Sequence, residues 1–482
     1  MQSIDLGDLC LSPECSSLQQ ALFQEIRNKI INRLWRKGAR LPSTRKAAEE
    51  LGISRNTVTL TYEQLVAEGY IESRAGSGFY VSVEVPEHFL LQVTQATENK
   101  NNQHISDSQG LNCFFAPGVP DLSAFPFTKW QRILQHHSSR VAIAGLNDLQ
   151  GLPELREALA HYLASSRSVD CSAKRIIITN GAQQALTIAA LAVSSLTADS
   201  KSCPIAMEEP GYTQMRKVLA LFNIKTINLS VEPETGWDLS RLLSSPAKAV
   251  YLTPSNQYPM GFSLNTDQRM QVLNWAAINN SWIIEDDYDS EFQFAHRPYT
   301  SMQGLAAQSG LTDRCIYIGS FSKTLFNGLR IGYMVVPDEL VRPCLNIKDA
   351  LSGTTPAHTQ AATAEFISQG HYLTHLRKMR KHYQLKRETM ISLLNQHFAE
   401  DLEVISQPAG LHITVRWQGN PGENEFSKQA EKEGVTVRPL SYYQQSAQPR
   451  QWNSVVMGFG NCPLTDMAAS IEKLAGIFHR MR

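Results

Sequence analysis

Apolar residues in the first part of the chain recur at helical spacing. One helical face would carry Leu18, Leu22, Ile26, Ile30, Ile31 and Leu34. The charged residues from position 27 to position 46 are all basic. A second, shorter helix is expected to begin after Pro42-Ser43 and to end at Leu51-Gly52, because glycine is a common helix stop.

A third helix is predicted to start at Ser54, whose side chain can cap it. Its apolar stripe would be Val58, Tyr62 and Leu65. Residues 70–74 and 79–82 have the composition of short strands, and Gly76-Ser77-Gly78 lies between them as a turn. Helix, helix-turn-helix and hairpin, in this order, predict a winged helix-turn-helix.

The remainder of the chain alternates buried strands with helices. Apolar runs at residues 175–179, 249–253, 282–285 and 315–318 are typical of a mostly parallel sheet. Residues 84–112 show little periodicity, and the Asn, Gln, Ser and Thr content of residues 92–109 predicts a flexible linker. We therefore expect a DNA-binding domain at 1–83, a linker at 84–112 and an α/β domain at 113–482 with a smaller C-terminal α+β subdomain.

Composition limits where a nucleic-acid surface can be. The formal net charge of the 482 residues is zero, so a basic surface must be local. The eight cysteines are scattered without a C-x-x-C pair, which predicts a reduced, cytoplasmic protein without a metal site. The N-terminal residues include Asp5 and Asp8, and we expect neither a signal peptide nor a membrane span.

The first domain carries a long sequence pattern. It comprises Leu41-Pro42-Ser43-Thr44-Arg45, Leu51-Gly52-Ile53-Ser54-Arg55-Asn56-Thr57-Val58, Glu68-Gly69-Tyr70, Arg74 and Gly76-Ser77-Gly78. This pattern resembles the GntR-type winged helix-turn-helix. We expect base contacts from the start of the third helix, and phosphate or minor-groove contacts from the second helix and the wing. The candidate DNA-binding residues are Arg45, Ser54, Arg55, Asn56, Thr57, Thr59, Arg74 and Gly78.

The second domain contains a lysine with the chemistry of an aldehyde cofactor site. Lys323 follows Ser320 and Ser322 at the end of an apolar run, and Arg330 comes seven residues later. A lysine amine condenses with an aldehyde, while hydroxyls and a guanidinium bind a phosphate. Residues 179–185 close a strand and open a helix, whose free N–H groups suit an anion.

Two further segments contribute an aromatic ring and acids. Residues 208–212 end in Tyr212, and residues 284–289 end a strand with Asp286, Asp287, Tyr288 and Asp289. With Lys323 and Arg330, these segments resemble the fold-type I aminotransferases that use pyridoxal 5'-phosphate (PLP), over residues 114–482. Joined to the GntR-like domain, the chain resembles the MocR/GabR-type transcriptional regulators.

The resemblance implies a role for each residue. Lys323 would bind the cofactor aldehyde covalently, and it would be the catalytic residue in any amine chemistry. Asp286 would pair with the pyridinium nitrogen, Tyr288 with the phenolic oxygen, and Tyr212 would stack on the ring. Asp287 and Asp289 would then be structural. The phosphate would contact Ala182, Gln183, Ser320, Ser322 and Arg330. We expect Lys323 to be a weak base, because burial and nearby positive charge would disfavour its ammonium form.

The sequence departs from the aminotransferase pattern in two places. Tyr258 stands where an asparagine usually precedes proline, and Asn256 is a candidate substitute in the cofactor site. Residues 454–459 lack the arginine that commonly binds a substrate carboxylate. Arg438 and Arg450 lie nearby in sequence, although we expect both at the surface. His412 is compatible with either a pocket or a core position.

Two functions remain open. The first is a regulator that binds a double-stranded DNA operator and senses an amino compound, or PLP itself, with no net turnover. An amine would displace Lys323 and change the spacing of two DNA-binding domains in a head-to-tail, domain-swapped homodimer. The second is an active aminotransferase with an appended DNA-binding domain.

Overall fold

The computed structural model describes most of the chain, in ranges separated by gaps. These are Ile4, Leu6, Leu9, Gly145 and residues 17–32, 34–74, 76–83, 114–140, 148–196, 203–295, 299–311, 314–445 and 450–482. The chain divides into two compact units, Met1–Asp107 and Ser108–Arg482. The linker predicted for residues 84–112 lies outside the described residues.

The first unit has three helices and a hairpin. Its elements are α1 (Leu18–Ile31), α2 (Thr44–Leu51), α3 (Arg55–Ala67), β1 (Ile71–Arg74) and β2 (Gly78–Val81). Ser43 caps α2 by accepting from the Lys46 amide (3.2 Å), and Gly52 ends the helix in the left-handed region with φ +64°. The strands pair antiparallel, with Ile71 opposite Val81.

The core of the first unit lies between α1, α3 and the hairpin. Val58, Tyr62 and Leu65 on α3 are fully buried, as their spacing predicted. Three residues of the predicted α1 stripe are not part of the core: Ile31 is only half-buried, and the other two are exposed. Leu18 is 56% exposed at the first position of α1, and Leu34 is 64% exposed beyond its end. Phe23 is buried on α1 instead.

The second unit combines a large sheet and a small sheet with surrounding helices. The strands are β3 (Ile176–Thr179), β4 (Ile205–Glu209), β5 (Thr226–Glu232), β6 (Gly236–Trp237), β7 (Ala249–Leu252), β8 (Trp282–Asp287), β9 (Cys315–Ser320), β10 (Gly332–Val335), β11 (Glu403–Val404), β12 (His412–Gln418), β13 (Arg438–Pro439) and β14 (Trp452–Gly458). The helices are α4 (Phe127–Ser138), α5 (Pro153–Arg167), α6 (Ala182–Ser195), α7 (Thr213–Leu221), α8 (Leu239–Leu243), α9 (Thr266–Ile278), α10 (Met302–Gln308), α11 (Asp338–Ser352), α12 (Ala357–Ser368), α13 (His371–Phe398), α14 (Glu423–Lys432) and α15 (Leu464–Met481).

The large sheet has the strand order β3-β10-β9-β8-β7-β4-β5-β6. Strands β9, β8, β7, β4 and β5 are parallel, whereas β10 runs antiparallel between β3 and β9. Strands buried on both faces require apolar side chains on both, and β7 and the first three residues of β3 and of β8 meet this requirement. The α/β prediction is confirmed, and the carboxyl ends of the parallel strands lie at one edge.

The small sheet is antiparallel, in the order β11-β12-β14-β13. Helices α13, α14 and α15 contribute Met390, Phe426 and Ile471 to an apolar cluster that also contains residues of β12 and β14. This arrangement matches the expected C-terminal α+β subdomain. Among the described residues, no helix is both long and apolar enough to cross a membrane.

Candidate functional site

The start of α3 is the candidate DNA-reading surface of the first unit. Ser54 caps the helix by accepting from the Thr57 amide (3.1 Å), and the two hydroxyls are 2.8 Å apart. The Thr59 hydroxyl donates to the Arg55 carbonyl (2.9 Å). Arg55 and Asn56 are exposed. The helix end thus presents Arg55 and Asn56 to solvent, while Ser54, Thr57 and Thr59 make bonds within the helix.

The residues predicted to position the DNA lie on α2 and in the hairpin. Arg45 is exposed and pairs with Glu49 one turn later (3.1 Å). Arg74 pairs with Glu72, and its guanidinium lies 4.4 Å from the centre of the Tyr80 ring. Gly78 has φ +111°. These ion pairs are exposed and therefore weak. Each arginine can leave its carboxylate partner and bind a DNA phosphate with little loss of free energy.

A cavity of about 310 Å³ lies in the second unit, at the carboxyl ends of the parallel strands. It is lined by Pro117, Gly118, Ala182, Gln183, Tyr212, Thr213, Gln214, Tyr251, Thr253, Tyr258, Asp286, Tyr288, Asp289, Ser320, Ser322, Lys323, Leu411, His412, Arg438, Tyr442 and Tyr443. In open α/β sheets, ligands bind outside this edge. Eight of the ten predicted cofactor residues line the cavity, and Arg330 and Asn256 do not.

Lys323 follows β9 and extends into the cavity, where it is partly buried. Its Nζ donates a short hydrogen bond to the carbonyl of Gly118. Burial lowers the pKa of Lys323, and the carboxylates of Asp289 and Asp286 oppose that shift. The prediction that Lys323 is a weak base is confirmed, and burial is the cause. The predicted contribution of nearby positive charge is wrong, because the groups that act on the Lys323 pKa are the carboxyls of Asp289 and Asp286.

Asp286 lies near the end of β8 and is buried. The Tyr251 hydroxyl donates to its Oδ2 (2.8 Å), whereas its Oδ1 is buried without a hydrogen-bond partner among the described residues. Burial raises the pKa of Asp286 to about 7, against the effect of the Tyr251 hydrogen bond. A buried acceptor without a partner is costly, so this oxygen is suited to a donor from a bound molecule.

The two other aspartates of this segment differ from each other. Asp287 accepts from Arg167 Nε (2.7 Å) and from the Tyr317 hydroxyl (2.6 Å), which makes it the structural residue that the sequence predicted. Asp289 was also predicted to be structural, but it lines the cavity. Burial raises the pKa of Asp289 to about 8, so this carboxyl is largely protonated at neutral pH.

Asn256 is not part of the cavity lining, but it forms hydrogen bonds with residues that are. Its Nδ2 donates to both Asp289 oxygens, at 3.0 and 3.2 Å, and its Oδ1 is buried without a partner in the described part of the chain. The Tyr288 hydroxyl donates to the Asn256 backbone carbonyl (2.8 Å). The structure therefore places Asn256 as a support for Asp289 and Tyr288, and not on the surface that would contact a ligand directly.

The first turn of α6 forms one end of the cavity. Gly181, with φ +89°, precedes the helix, and within the described residues no side chain caps it. Its first N–H groups are consequently available to an anion. Arg330 donates from Nη2 to the Asn180 carbonyl (3.0 Å) and lies beside Gly181, although it is outside the cavity lining. The Ser320 and Ser322 hydroxyls are 2.6 Å apart.

An aromatic cluster forms part of the cavity wall. The Tyr258 ring packs edge-on against Tyr212, Tyr288, His412 and Tyr443, with centroid distances from 5.1 to 5.9 Å. Its hydroxyl is 3.0 Å from the Tyr443 hydroxyl. Tyr258, which stands where an asparagine is usual, thus packs against four other residues of the cavity lining.

His412 is at once a cavity residue and a satisfied buried residue. It lines the cavity at the start of β12, and its Nε2 lies 3.2 Å from the Pro259 carbonyl. A carbonyl only accepts, so Nε2 carries the hydrogen. Burial lowers the pKa of His412 to about 4, and the ring is neutral at physiological pH.

Two cavity residues escaped the sequence reasoning. Gly118 has φ +79°, and a Cβ there would overlap Lys323 Nζ. The sequence Pro117-Gly118-Val119-Pro120 was the signal that would have identified this turn. Tyr251 lies on β7 within an apolar run, where only its pairing in the sheet opposite Ile284 brings it close to Asp286. No local sequence signal distinguishes it from a core tyrosine.

Comparison with protein families and curated proteins agrees with this two-part organisation. The family of bacterial regulatory proteins named gntR matches residues 18–81, and aminotransferase class I and II matches residues 117–452. The probable rhizopine catabolism regulatory protein MocR of Rhizobium meliloti is 34% identical, with 96% of this chain and 94% of the relative covered. The pyridoxine biosynthesis transcriptional regulator PdxR of Corynebacterium glutamicum is 28% identical, with 95% of each covered.

Solved structures resemble the second unit. The α-aminoadipate aminotransferase LysN of Thermus thermophilus has a TM-score of 0.68 and 22% identity, covering 77% of this chain and 92% of that one. The kynurenine aminotransferase of Pyrococcus horikoshii has the same TM-score and identity, covering 82% and 95%. At this identity the likeness establishes the fold of the unit.

Proposed function

This chain belongs to the gntR family of bacterial regulators, in the group with a class I and II aminotransferase domain, and on that premise we propose how its two units work together. The chain is a DNA-binding transcriptional regulator. We infer that it holds PLP in the cavity of the second unit and responds there to a compound that carries an amine. The observation that carries this inference is that Oδ1 of Asp286, in the same cavity as Lys323, is buried and has no hydrogen-bond partner among the described residues.

The residues of the cavity fit PLP at each of its polar groups. The pyridine nitrogen, when protonated, would give Asp286 Oδ1 the donor that the described part of the chain does not supply. The uncapped start of α6 suits a phosphate, and Ser320 and Ser322 add hydroxyls. Lys323 supplies the amine, and Tyr212 and Tyr288 supply aromatic surface. Arg330, beside Gly181, would add positive charge near the phosphate.

When bound, PLP supplies an aldehyde that reacts with primary amines and a ring that withdraws electrons when it is protonated. Burial increases the neutral, nucleophilic fraction of Lys323. Asp286 would hold a positive charge at the ring nitrogen, and Tyr251 keeps that carboxylate oriented. An effector with an amine would compete with Lys323 for the aldehyde carbon. Lys323, once displaced as an amine, would remain beside Asp286 and Asp289.

The first unit supplies the DNA contacts in this proposal. Arg55 and Asn56, which the start of α3 exposes, would read base edges, and Arg45 and Arg74 would contact phosphates. We propose that the protein acts in the cytoplasm as a homodimer with two such units. An effector would then change DNA affinity by altering their spacing, which requires different affinities of the effector for two states.

The experiment that tests cofactor binding uses the full chain loaded with PLP and treated with borohydride. We expect a stable mass adduct on the peptide that contains Lys323, together with an absorption band of the bound cofactor. Both should be absent in Lys323→Ala. The matched control is Lys348→Ala, which removes a different buried lysine. An adduct on another peptide, or a band that persists in Lys323→Ala, would overturn the proposal.

DNA binding is tested separately, at a fixed salt concentration. Titration of an operator fragment with and without PLP and amines measures whether occupancy of the cavity changes affinity. An affinity that no amine or cofactor alters would contradict the regulatory part of the proposal. The alternative, an aminotransferase with an appended DNA-binding domain, predicts keto-acid-dependent turnover. The full-length relatives are named as regulators, which does not favour that alternative.

A further inference from the structure

We propose that His136, His137 and Glu365 form a binding site for a divalent transition-metal ion such as zinc. The three side chains belong to the neighbouring helices α4 and α12, and none of them lines the cofactor cavity. The inference is therefore independent of the proposed function. The sequence predicted no metal site from its scattered cysteines, whereas this cluster consists of histidines and a carboxylate.

Two ring nitrogens converge on one carboxylate oxygen in this cluster. His137 Nε2 lies 2.7 Å from Glu365 Oε2, and His136 Nδ1 lies 3.1 Å from the same oxygen. All three ligand atoms lie within 4.8 Å of one another. Zinc binds nitrogen and oxygen ligands at about 2.0–2.2 Å, which places its tetrahedral ligands about 3.3 Å apart. Small side-chain rotations would bring the three atoms to that spacing.

The two helices are held together next to the cluster. Phe366, which follows Glu365, packs edge-on against Trp130 of α4 with ring centroids 5.8 Å apart, and both rings are buried in one apolar cluster. The Gln369 amide donates to Glu365 Oε1 (2.9 Å), while Oε2 contacts the histidines. Outer contacts of this kind orient the ligands of metal sites.

The cluster borders a surface cavity of about 390 Å³. His137 and Glu365 line this cavity, together with the exposed His161, Glu154 and Glu157 of α5. Three protein ligands leave one position of a tetrahedral ion for water or for a fourth side chain, and the cavity has room for either. Two imidazoles and one carboxylate favour zinc over magnesium and calcium, which prefer oxygen ligands.

Arg140 opposes metal binding in the structure. Its Nη1 lies 3.1 Å from His137 Nδ1, and because arginine only donates, this ring nitrogen accepts. The hydrogen of the neutral ring is then on Nε2, which donates it to Glu365. A metal ion at Nε2 requires the hydrogen on Nδ1 instead, so Arg140 would have to move away. Glu154, 3.8 Å from Arg140 Nη2, is its alternative partner.

The test titrates zinc into the PLP-loaded full chain after removal of bound metals with a chelator. Calorimetry measures the stoichiometry and the affinity, and thermal unfolding measures the stabilisation. We expect one zinc ion per chain and a melting temperature that rises with zinc concentration, because an ion that binds only the folded state stabilises it. Magnesium at the same concentrations should not bind.

The variants His136→Ala and Glu365→Gln identify the site. Each should weaken zinc binding by at least about 100-fold, because loss of a direct ligand costs more than the roughly 10- to 100-fold of a lost outer contact. His479→Gln, which changes an exposed histidine of α15, is the matched control and should bind zinc as wild type does. Thermal unfolding without zinc checks that each variant is folded.

The variant Arg140→Gln should have the opposite effect. We expect its zinc affinity to rise about 10-fold, because a glutamine oxygen can accept from His137 Nδ1 and so supports the tautomer that binds metal. Three results would overturn the inference: no stoichiometric binding by wild type, binding that persists in both His136→Ala and Glu365→Gln, or an Arg140→Gln variant that binds no more tightly than wild type. The Lys323 adduct tests the proposed function separately.

Discussion

Replacement of Asp286 by asparagine gives opposite effects on the stability of the cofactor-free protein and on cofactor binding. In the folded chain the pKa of this carboxyl is raised from 3.8 to about 7 by burial. The folded state therefore holds a proton that the unfolded chain releases near pH 4. The contribution of this proton to the free energy of unfolding is fully present at low pH and is lost as the pH rises to 7.

The size of the effect follows from the shift. Each pKa unit corresponds to about 1.4 kcal/mol, so wild type loses roughly 3 kcal/mol through Asp286 between pH 5 and pH 8. Asparagine has no charge to bury and avoids this loss. Its amide does leave a donor without a partner where Oδ1 lies, which costs about 1–3 kcal/mol at every pH. Relative to wild type, Asp286→Asn should gain roughly 3 kcal/mol on going from pH 5 to pH 8.

Cofactor affinity should change in the other direction. The variant cannot supply a carboxylate to a protonated ring nitrogen, and we expect PLP binding to weaken about 10- to 100-fold. Chemical denaturation of the cofactor-free protein at pH 5 and pH 8 measures the first effect, and spectroscopic titration with PLP measures the second.

Asp287→Asn is the matched control, one residue away. Its carboxylate pairs with Arg167 at 2.7 Å, and both side chains are only 2% exposed. Loss of a buried pair leaves an uncompensated charge, so this variant should be less stable by about 3–5 kcal/mol at both pH values. If Asp286→Asn lost stability equally at both pH values, or bound PLP as tightly as wild type, the assignment of Asp286 would be refuted.

Four further changes test other parts of the molecule. Gly118→Ala places a Cβ against Lys323 Nζ at a positive φ, and borohydride trapping should show less cofactor attached to Lys323. Tyr251→Phe removes the hydrogen bond that lowers the pKa of Asp286, so PLP titrations should show weaker binding. Arg55→Ala should weaken operator binding by about 1–3 kcal/mol in a mobility-shift assay without altering thermal stability, whereas Ser54→Ala should cost about 1 kcal/mol of stability through the lost helix cap.

Local chemistry explains which features the sequence could predict. Helix caps depend on one residue and the amides that follow it, so the cap Ser54 and the start of α2 after Ser43 were identified from the sequence alone. The α1 stripe was only partly correct because periodicity does not reveal where a helix ends. Leu34 continues the apolar pattern but lies beyond Ile31, in solvent.

The site shows the same division between local and long-range information. Side chains alternate across a strand, so adjacent residues near the end of β8 must face opposite sides. Asp286 consequently faces the cavity and Asp287 faces Arg167, which is 120 residues away in sequence. Asp289 lies beyond the strand, where alternation no longer applies, and its position in the cavity was not predicted.

The placement of Arg438 depends on the register between two strands, which no local pattern specifies. Its pairing with Val456 joins residues 18 positions apart, and a shift of one residue would turn the side chain to the other face of the sheet. The same register leaves Val456 in the apolar cluster with Leu440. The absence of an arginine on β14 is a property of the sequence, whereas the position of Arg438 at the cavity follows from the pairing of β13 with β14. The sequence of β14 therefore shows no arginine, whereas the edge strand of the folded small sheet brings Arg438 to the cavity wall.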